Sequence, residues 1–428
     1  MLGACSSAAD TVMPSHYASL PARPVATLLC GAHVLSMTGF ATVAALLPLL
    51  ITTWRMSNSE AGAISGMYYA GYMVAVPWLT GLTDRVDARR VYLLACGLSS
   101  SAALGFAVLA DGFGSALALQ ALAGAGLAGT YMPGLKILSD HIEGSHQSRW
   151  VAVYTSTFGL GAALSLWMAG AIAERVEWRW AFAAAGMGPV AAGSLVFLRL
   201  PARRPRPTAG NTSALFDFRS VFHNRAATGY ILAYAAHCWE LFGFRSWIVA
   251  FFAFAGTIRA TAEPMLASAA TLAAAINLMG PAASILGNEI AARFGRPRVV
   301  LAIMSLSGAL AFLVGFSASL PGAFVFALAC VYFLAIMGDS AALTAGLLAS
   351  AQPQQRGAAM AVHSFLGFGA AFVAPFVFGV VLDFAGGNRS VFAWGMAFAS
   401  LGLGGAFAPV TLAVYRRRAT RRGHHGPR

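Results

Sequence analysis

The chain has 428 residues, of which 58% are hydrophobic and only 10% are charged, and its formal net charge is +13. A soluble domain usually has about 25% charged residues, so the composition excludes an ordinary soluble protein. Continuous apolar stretches of roughly 20 residues are typical of membrane-spanning helices, and they lack the alternation of a transmembrane barrel. The composition therefore predicts an all-α membrane protein.

The first segment, residues 1–25, is polar, and it lacks the basic start and apolar core of a cleaved signal peptide. Either Met1 or Met13 is compatible with the start of translation. We predict twelve spans after this segment, some of them longer than the roughly 20 residues that a bilayer requires. They lie at residues 26–53, 59–82, 91–110, 115–138, 150–173, 180–199, 227–256, 265–290, 298–317, 321–349, 357–383 and 390–414.

A proline-rich polar linker at residues 200–226 divides these spans into two groups of six. We therefore predict an N-terminal six-helix bundle at 26–199, a C-terminal six-helix bundle at 227–414 and a basic tail at 415–428.

Two sequence matches at one offset indicate that the bundles are duplicates. Arg85 and Arg293 lie 208 positions apart, and the same shift carries residues 158–163 onto residues 366–371. Duplicated membrane halves are typical of secondary transporters, whose binding site lies where the halves meet.

Lysine and arginine are unevenly distributed between the two predicted sides of the membrane. Of the 28 residues, 21 lie on one side, two lie within spans (Lys136 and Arg245), and five lie in the opposite loops: Arg55, Arg175, Arg179, Arg259 and Arg389. This asymmetry follows the positive-inside rule, and it predicts a cytoplasmic-membrane protein with both termini in the cytoplasm. The basic excess therefore reflects topology and attraction to the lipid bilayer, and we expect no nucleic-acid partner.

Cofactor chemistry has no signature in the sequence. The five cysteines show no spacing typical of a metal site or a disulfide framework, so we expect no metal and no cofactor. Nothing resembles a nucleotide-binding loop, which argues against ATP-driven transport and against an enzyme. Gly62 and Gly66 have small-xxx-small spacing, which we attribute to packing within a monomer rather than to dimerisation.

The loop between spans two and three resembles the hallmark of the major facilitator superfamily, Gly-x-Leu-x-Asp-Arg-x-Gly-Arg-Arg. The first glycine is displaced by one position, Asp87 replaces the second, and one residue is inserted before the paired arginines. The retained residues are Leu82, Asp84, Arg85, Arg89 and Arg90.

A second, weaker copy of this loop lies between spans eight and nine. It keeps Arg293, Gly295 and Arg296 but has Ala292 in place of the aspartate. Through span count and duplication the resemblance covers the whole chain. It implies the fold of the superfamily, two pseudo-symmetric six-helix bundles, and transport by alternating access.

The resemblance also implies a conformational latch. The loop aspartate of this family is thought to bind the start of span eleven, where unpaired N–H groups favour a carboxylate. Asp84 lies on the same predicted side as Arg356, so we expect this contact in the outward-open state. The alternative is that the loop arginines only fix the topology.

Span four differs from proton-coupled members of the family. Many of them have an arginine there in an Arg-x-x-x-Gly-x-Gly pattern, whereas this chain has Gln120 before Gly124 and Gly126. Span five lacks the Gly-Pro pair typical of drug/proton exchangers, which argues against drug efflux.

Five ionisable residues lie deep in predicted spans, where they are costly and usually face a cavity or a partner. They are His33, His237, Glu240, Arg245 and Asp339. His237 and Glu240 are three residues apart and share a helix face. The resemblance implies that spans one, four, seven and ten line the central cavity, and all five residues fall on three of these spans.

Each of these residues has a functional and a structural interpretation. Glu240 and Asp339 either take part in proton exchange or substrate binding as the cavity changes exposure, or form permanent ion pairs or hydrogen bonds that bridge helices. Arg245 either clamps an anion or forms a gate or an ion pair with Glu240 or Asp339. His33 and His237 favour structural hydrogen bonds. We expect Lys136 to extend toward the cytoplasmic interface.

The sequence therefore predicts a secondary transporter that moves a small organic or inorganic anion by proton symport. Its partners are the solute, protons as coupling ions and the bilayer. One alternative is efflux of a drug or cation bound by Glu240 and Asp339. An alternative from another class is a membrane sensor that no longer transports.

Overall fold

The computed structural model describes residues 22–142, 145–202, 218–258, 267–352 and 355–404. All regular structure within these ranges is helical. Residues 1–21, most of the linker and the basic tail lie outside the described residues, so Met1, Met13 and Cys5 have no structural account.

The described helices follow one another along the chain with short connections. They are α1 (Ala22–Ser36), α2 (Thr42–Trp54), α3 (Asn58–Leu82), α4 (Ala88–Leu109), α5 (Phe113–His141), α6 (Ser145–Ala173), α7 (Arg179–Arg199), α8 (Phe218–His223), α9 (Arg225–Ile258), α10 (Ala269–Leu278), α11 (Gly280–Phe294), α12 (Arg296–Phe316), α13 (Gly322–Gly338), α14 (Ser340–Ser350), α15 (Arg356–Phe384) and α16 (Val391–Gly404).

Within the described ranges, nine helical stretches are long and apolar enough to cross a membrane. Predicted span one is divided between α1 and α2, span two corresponds to α3, and span twelve corresponds to α16. These three are shorter or less apolar than the other nine. The all-α membrane fold is confirmed, while the count of twelve spans stays a prediction.

Three spans that we predicted as continuous helices are interrupted. The interruptions lie at residues 37–41 in span one, at Met279 in span eight and at Asp339 in span ten. Pro281 explains the second, because a proline is tolerated in the first turn of a new helix but disrupts the interior of a continuous one. Discontinuous membrane helices are a common feature of transporter binding sites.

The break between α1 and α2 is stabilised by side chains from neighbouring helices. The Thr38 hydroxyl donates to the Ala185 carbonyl at 2.7 Å. Ser165 Oγ donates to the Thr38 carbonyl at 2.7 Å and accepts from the Ala41 amide at 2.9 Å. Backbone groups released from a helix in lipid need such partners, because no water is available to bind them.

Helices α3 and α15 approach each other closely along small residues. A Cβ added at Gly62 or Gly66 would overlap the backbone of Pro375 or Phe372, and one added at Gly379 would overlap the backbone of Asn58. The intramolecular packing predicted for Gly62 and Gly66 is confirmed by this contact.

Asp383 joins the same two helices at their ends. Its Oδ1 accepts from the Asn58 amide at 3.1 Å and from Asn58 Nδ2 at 2.8 Å. Its Oδ2 accepts from the Ser59 amide at 2.8 Å and from the Ser59 hydroxyl at 2.5 Å. We call this region, residues 58–66 of α3 with 372–383 of α15, the closed end of the helix pair.

Candidate functional site

The centre of the candidate site is a contact between His237 on α9 and Asp339 at the junction of α13 and α14. His237 Nδ1 lies 2.7 Å from Asp339 Oδ1, and both residues are only 2% exposed. The interruption at Asp339 leaves its carboxyl group directed to His237 instead of to the α14 amides, since it makes no side-chain cap. The contact is an ion pair when the imidazole is protonated, and its geometry is not that of an aligned hydrogen bond.

Glu240 lies one turn from His237 and is also 2% exposed. The Ser307 hydroxyl on α12 donates to Glu240 Oε2 at 2.8 Å, and the Tyr332 side chain of α13 lies beside the same carboxyl group. His237 and Glu240 therefore share the face of α9 that packs against α12, α13 and α14, as their spacing predicts.

Arg245 occupies a different environment on the same helix. Its Nε donates to Asn277 Oδ1 on α10 at 3.0 Å. Asn277 Nδ2 donates to the Ala273 carbonyl at 2.9 Å, which orients the amide oxygen toward the guanidinium group. The guanidinium carbon lies 5.6–5.8 Å from the ring centroids of three aromatic residues, Phe158, Phe242 and Phe333.

None of the ion pairs formed by the described residues includes Arg245. The alternative of a permanent pair with Glu240 or Asp339 is therefore wrong in this conformation. The physical reason is rotation around α9, because five residues separate Arg245 from Glu240 and direct the two side chains to different neighbours. The Arg245 guanidinium is thus surrounded by aromatic faces and one amide.

His33 on α1 is fully buried in a neutral hydrogen-bonding environment. Its Nδ1 lies 2.7 Å from Thr157 Oγ1, and that hydroxyl donates to the Tyr154 carbonyl at 2.6 Å. The hydroxyl proton is therefore used, so Nδ1 must be the protonated nitrogen of the His33 ring. Tyr131 and Tyr154 cover the ring, with centroids 5.2 and 4.7 Å away.

Gln120 is buried on α5 but lies apart from the charged cluster on α9. It lines a small cavity together with Ser36, Tyr68 and Ser99, and the cavity has about 20 Å³ of space. That volume is enough for about one water molecule. The structure therefore does not bring Gln120 together with His237, Glu240 or Asp339.

The first arginine loop packs against the N-terminal helices. Asp84 Oδ1 lies 3.8 Å from Lys136 Nζ, which is also 3.9 Å from Asp140. Arg89 donates to the Phe197 carbonyl at 2.7 Å, and Asp87 accepts from the Arg89 amide at 3.0 Å as the N-cap of α4. This cap gives a physical reason for the aspartate that replaces the family's second glycine.

The other loop arginines lie at the protein surface, away from the charged cluster. Arg85, Arg90 and Arg293 are exposed, and Arg296 is half-buried. The observed contact of Asp84 is with α5, so its predicted latch to α15 stays a prediction for another conformation. Lys136 lies near the end of α5, as expected for a side chain that extends toward the interface.

Sequence reasoning missed His363 on α15. The residue is 2% exposed, and its ring stacks on Tyr234 with centroids 3.6 Å apart. The signal was available, since an ionisable residue lies seven positions inside an apolar helix. The partners Asn277, Ser307 and Thr157 gave no signal, because uncharged polar residues are common in membrane helices.

Comparison with known sequences identifies a family for most of the chain. The sequence pattern of the Major Facilitator Superfamily matches residues 29–281. The uncharacterized MFS-type transporter YcaD of Salmonella typhi is 26% identical over 207 residues, which are 47% of this chain and 53% of that protein. The sphingosine-1-phosphate transporter SPNS2 of Danio rerio is 25% identical over 250 residues, 56% of this chain and 49% of that protein. The chain thus spans about half the length of the curated relatives it matches.

Solved structures of transporters share the fold over nearly the whole chain. A bacterial homologue of the human lysosomal transporter Spinster, inward-facing and occupied, superposes with a TM-score of 0.75 at 15% identity, covering 93% of this chain and 98% of that one. The nucleoside transporter NupG gives a TM-score of 0.73 at 12% identity, covering 91% and 99%. At these identities the similarity shows the fold alone.

Proposed function

The chain belongs to the major facilitator superfamily, and from this premise we propose that it is a proton-coupled symporter of a small organic or inorganic anion. Membership of the superfamily and the transporter fold of its neighbours support secondary transport across a membrane. The anion and the proton are the specific parts of the proposal.

The observation that carries the anion proposal is the environment of Arg245. Arg245 as a whole residue is 7% exposed, and the ion pairs among the described residues do not include it. A buried cation without a carboxylate is costly, and an anionic solute would offset that cost. Guanidinium also binds carboxylate or phosphate through two parallel hydrogen bonds, which gives the site geometric selectivity.

Arg245 contacts residues of both predicted bundles, which supports a solute site between them. Phe158 of α6 belongs to the first bundle, while Asn277 and Phe333 belong to the second. A solute held there would contact both bundles, as the alternating-access mechanism requires. Aromatic faces around the guanidinium would also accommodate an apolar part of the solute.

We propose protons as the coupling ions because Asp339 and Glu240 each have a partner that remains compatible with either the charged or the neutral form of the acid. Asp339 and His237 form an ion pair when the imidazole is protonated, and the Ser307 hydroxyl can donate to the Glu240 carboxylate or release it when the acid is protonated. Span five also lacks the Gly-Pro pair that is typical of drug/proton exchangers. Efflux of a cation is therefore the weaker alternative.

The closed end of α3 and α15 supports an alternating-access cycle. Asp383 holds the start of α3 through four hydrogen bonds, while Asp84 at the other end of α3 contacts α5. We assign this arrangement to the state that is closed at the predicted outer side. The predicted Asp84 latch would belong to the opposite state. A non-transporting sensor would have no need for these exchangeable contacts.

The proposal is tested by ligand-induced thermal stabilisation of the purified protein. We expect inorganic phosphate, small carboxylates or sphingosine-1-phosphate, chosen as anions of increasing apolar size, to raise the Tm of the wild type, and cationic dyes to have no effect. The Arg245→Gln variant should lose that stabilisation, whereas the surface variant Arg55→Gln should keep it. Equal stabilisation of wild type and Arg245→Gln by every anion would remove Arg245 as the binding group. Stabilisation by cations alone would favour efflux.

A further inference from the structure

We propose that His363 is the third member of a proton-binding site with His237 and Asp339, and that it exchanges protons between this pair and the arginine-loop side of the protein. The inference rests on the proposed proton coupling and adds a residue and a direction to it. His363 lies on α15, a helix that the sequence analysis did not associate with coupling.

The three residues are brought together by α9, α14 and α15. The Tyr234 ring of α9 lies between the two imidazoles, with its centroid 5.7 Å from that of His237 and 3.6 Å from that of His363. Both histidine rings are nearly parallel to it, at 21° and 15°. The three rings therefore form one stack from the Asp339 contact to α15, with the Tyr234 ring between the two imidazoles.

The hydrogen bonds of His363 leave one ring nitrogen available. His363 Nε2 lies 3.4 Å from Thr344 Oγ1, whose own hydroxyl is directed at the Ser340 carbonyl. In this arrangement Nε2 carries the hydrogen, and Nδ1 has the lone pair. Nδ1 is buried and has no hydrogen-bond partner among the described residues. A proton can therefore be added at Nδ1 without breaking an existing hydrogen bond.

The groups that face His363 determine when it would do so. His237 acts on it electrostatically from α9, the Tyr234 ring of the same helix stacks on it, and Thr344 faces it from α14. Asp339 contributes a carboxylate to this group through its contact with His237. A proton on His237 balances its charge, and a second proton on His363 gives the cluster a net positive charge. An anionic solute nearby would offset this charge, which couples proton uptake to solute binding.

The position of His363 gives the exchange a direction. Thr344 follows Asp339 by five residues, so the contact of His363 lies about 7 Å along α14 toward the arginine-loop side. His363 itself is seven residues, or about 10 Å, from the start of α15 at Arg356 on that side. His363 therefore lies between the His237–Asp339 pair and the end of the protein where the arginine loops lie.

Helix α15 also carries the contacts of the closed end. Phe372, Pro375 and Asp383 pack against or bind α3 further along the same helix. A charge change at His363 thus acts on the helix whose displacement would open the closed end. This gives a physical connection between proton binding and the conformational cycle.

The test uses protein labelled with 15N at histidine and reconstituted in lipid, and it requires no solute. The His363 signal, assigned from its loss in His363→Gln, should show a second protonation in the pH range where imidazoles and carboxylic acids titrate. In Asp339→Asn this protonation should move to lower pH, because a nearby negative charge is removed. Asp111→Asn, which alters an exposed loop acid, should not move it.

A His363 signal that never gains a second proton, or that is indifferent to Asp339→Asn, would overturn the inference. If His363→Gln fails to fold, His363→Asn provides the assignment, and Asp339→Asn still gives the readout on the native histidine. Coupled titration without any anion-dependent stabilisation would leave this site in place while rejecting the anion proposal. The two failures are therefore distinguishable.

Discussion

The two buried histidines, His33 and His237, lie 204 positions apart, close to the repeat offset of 208, but they contact different kinds of side chain. Each lies on the first helix of its bundle and contacts the fourth span, His33 at Tyr131 and His237 at Asp339. Tyr131 and Asp339 are separated by 208 positions, the offset of the repeated arginine loops. The first histidine is held by a threonine and two tyrosine rings, the second by a carboxylate.

This difference indicates how a duplicated protein can have a buried ion pair in one half and a neutral hydrogen bond in the other. Among the described residues, His33 contacts a neutral hydroxyl and aromatic rings, and none of these groups would balance the charge of a second proton. The second site combines an acid and a base in hydrocarbon, where each charged form is costly without the other. We therefore assign a structural role to the first site and proton binding to the second.

The largest effect is expected from Asp339→Asn, which removes the acid but keeps the size and polarity of the side chain. Transport driven by a proton gradient should fall by about two orders of magnitude, because the site loses its group for proton transfer. Exchange of solute without a gradient should persist. The measurement is uptake of a stabilising anion into proteoliposomes with and without an imposed pH difference. Undiminished gradient-driven uptake would remove Asp339 from the coupling site.

A reciprocal substitution, Tyr131→Asp, places a carboxyl group beside His33. We expect a loss of stability of several kcal/mol, because the buried charge enters a site without hydrogen-bond donors arranged for it. Denaturant or thermal unfolding in detergent measures the loss, with Tyr131→Phe as the matched control. A stable Tyr131→Asp protein in which His33 gains a second proton would contradict this assignment, since the first site would then support proton binding as well.

The paired variants His33→Gln and His237→Gln separate structure from coupling. His33→Gln should lower the stability by about 1 kcal/mol through one hydrogen bond and leave the pH profile of transport unchanged in shape. His237→Gln should alter that profile. Comparing the pH dependence of uptake for the two variants tests this assignment. A changed profile for His33→Gln with a native profile for His237→Gln would reverse it.

The smallest effect is expected from substituting Asp383 at the closed end of α3 and α15. The two repeats differ at this position as well. Asp383 binds the start of α3, whereas the residue 208 positions earlier is Arg175, which donates to the Ala171 carbonyl of its own helix. Asp383→Asn removes a charge-assisted interaction worth about 1–3 kcal/mol and should populate wider separations of α3 and α15.

Distances between spin labels at the exposed positions 55 and 384 measure this change in lipid. Asp111→Asn is the control for loss of an acidic side chain on the same predicted side. An unchanged distance distribution in Asp383→Asn would show that the glycine contacts alone keep this end closed.

The sequence predicted the fold and the buried charged residues because both depend on the cost of polar groups in lipid. Hydrocarbon excludes charge, so the apolar stretches and the exceptions within them are visible in one chain. The spacing of His237 and Glu240 also predicted their common face on α9.

The contacts that the buried charged residues make could not be predicted, because they depend on helix interruptions and helix packing that have no sequence signal. The interruption at Asp339 has no proline to mark it, and it is this interruption that directs the carboxyl group to His237. Arg245 contacts Asn277, 32 residues further along the chain, instead of a carboxylate. The direction in which each side chain leaves α9, and not its charge, determines which residues it contacts. His363 contacts Tyr234, next to His237, because α15 packs against α9.

The central claim is that the second bundle takes up a proton together with an anion. It is tested most directly by following the pH of a weakly buffered solution of the purified protein while a stabilising anion is added. The account predicts alkalinisation as the wild type and Tyr131→Phe take up protons, and no pH change with Asp339→Asn. Proton uptake of equal size in Asp339→Asn would contradict it.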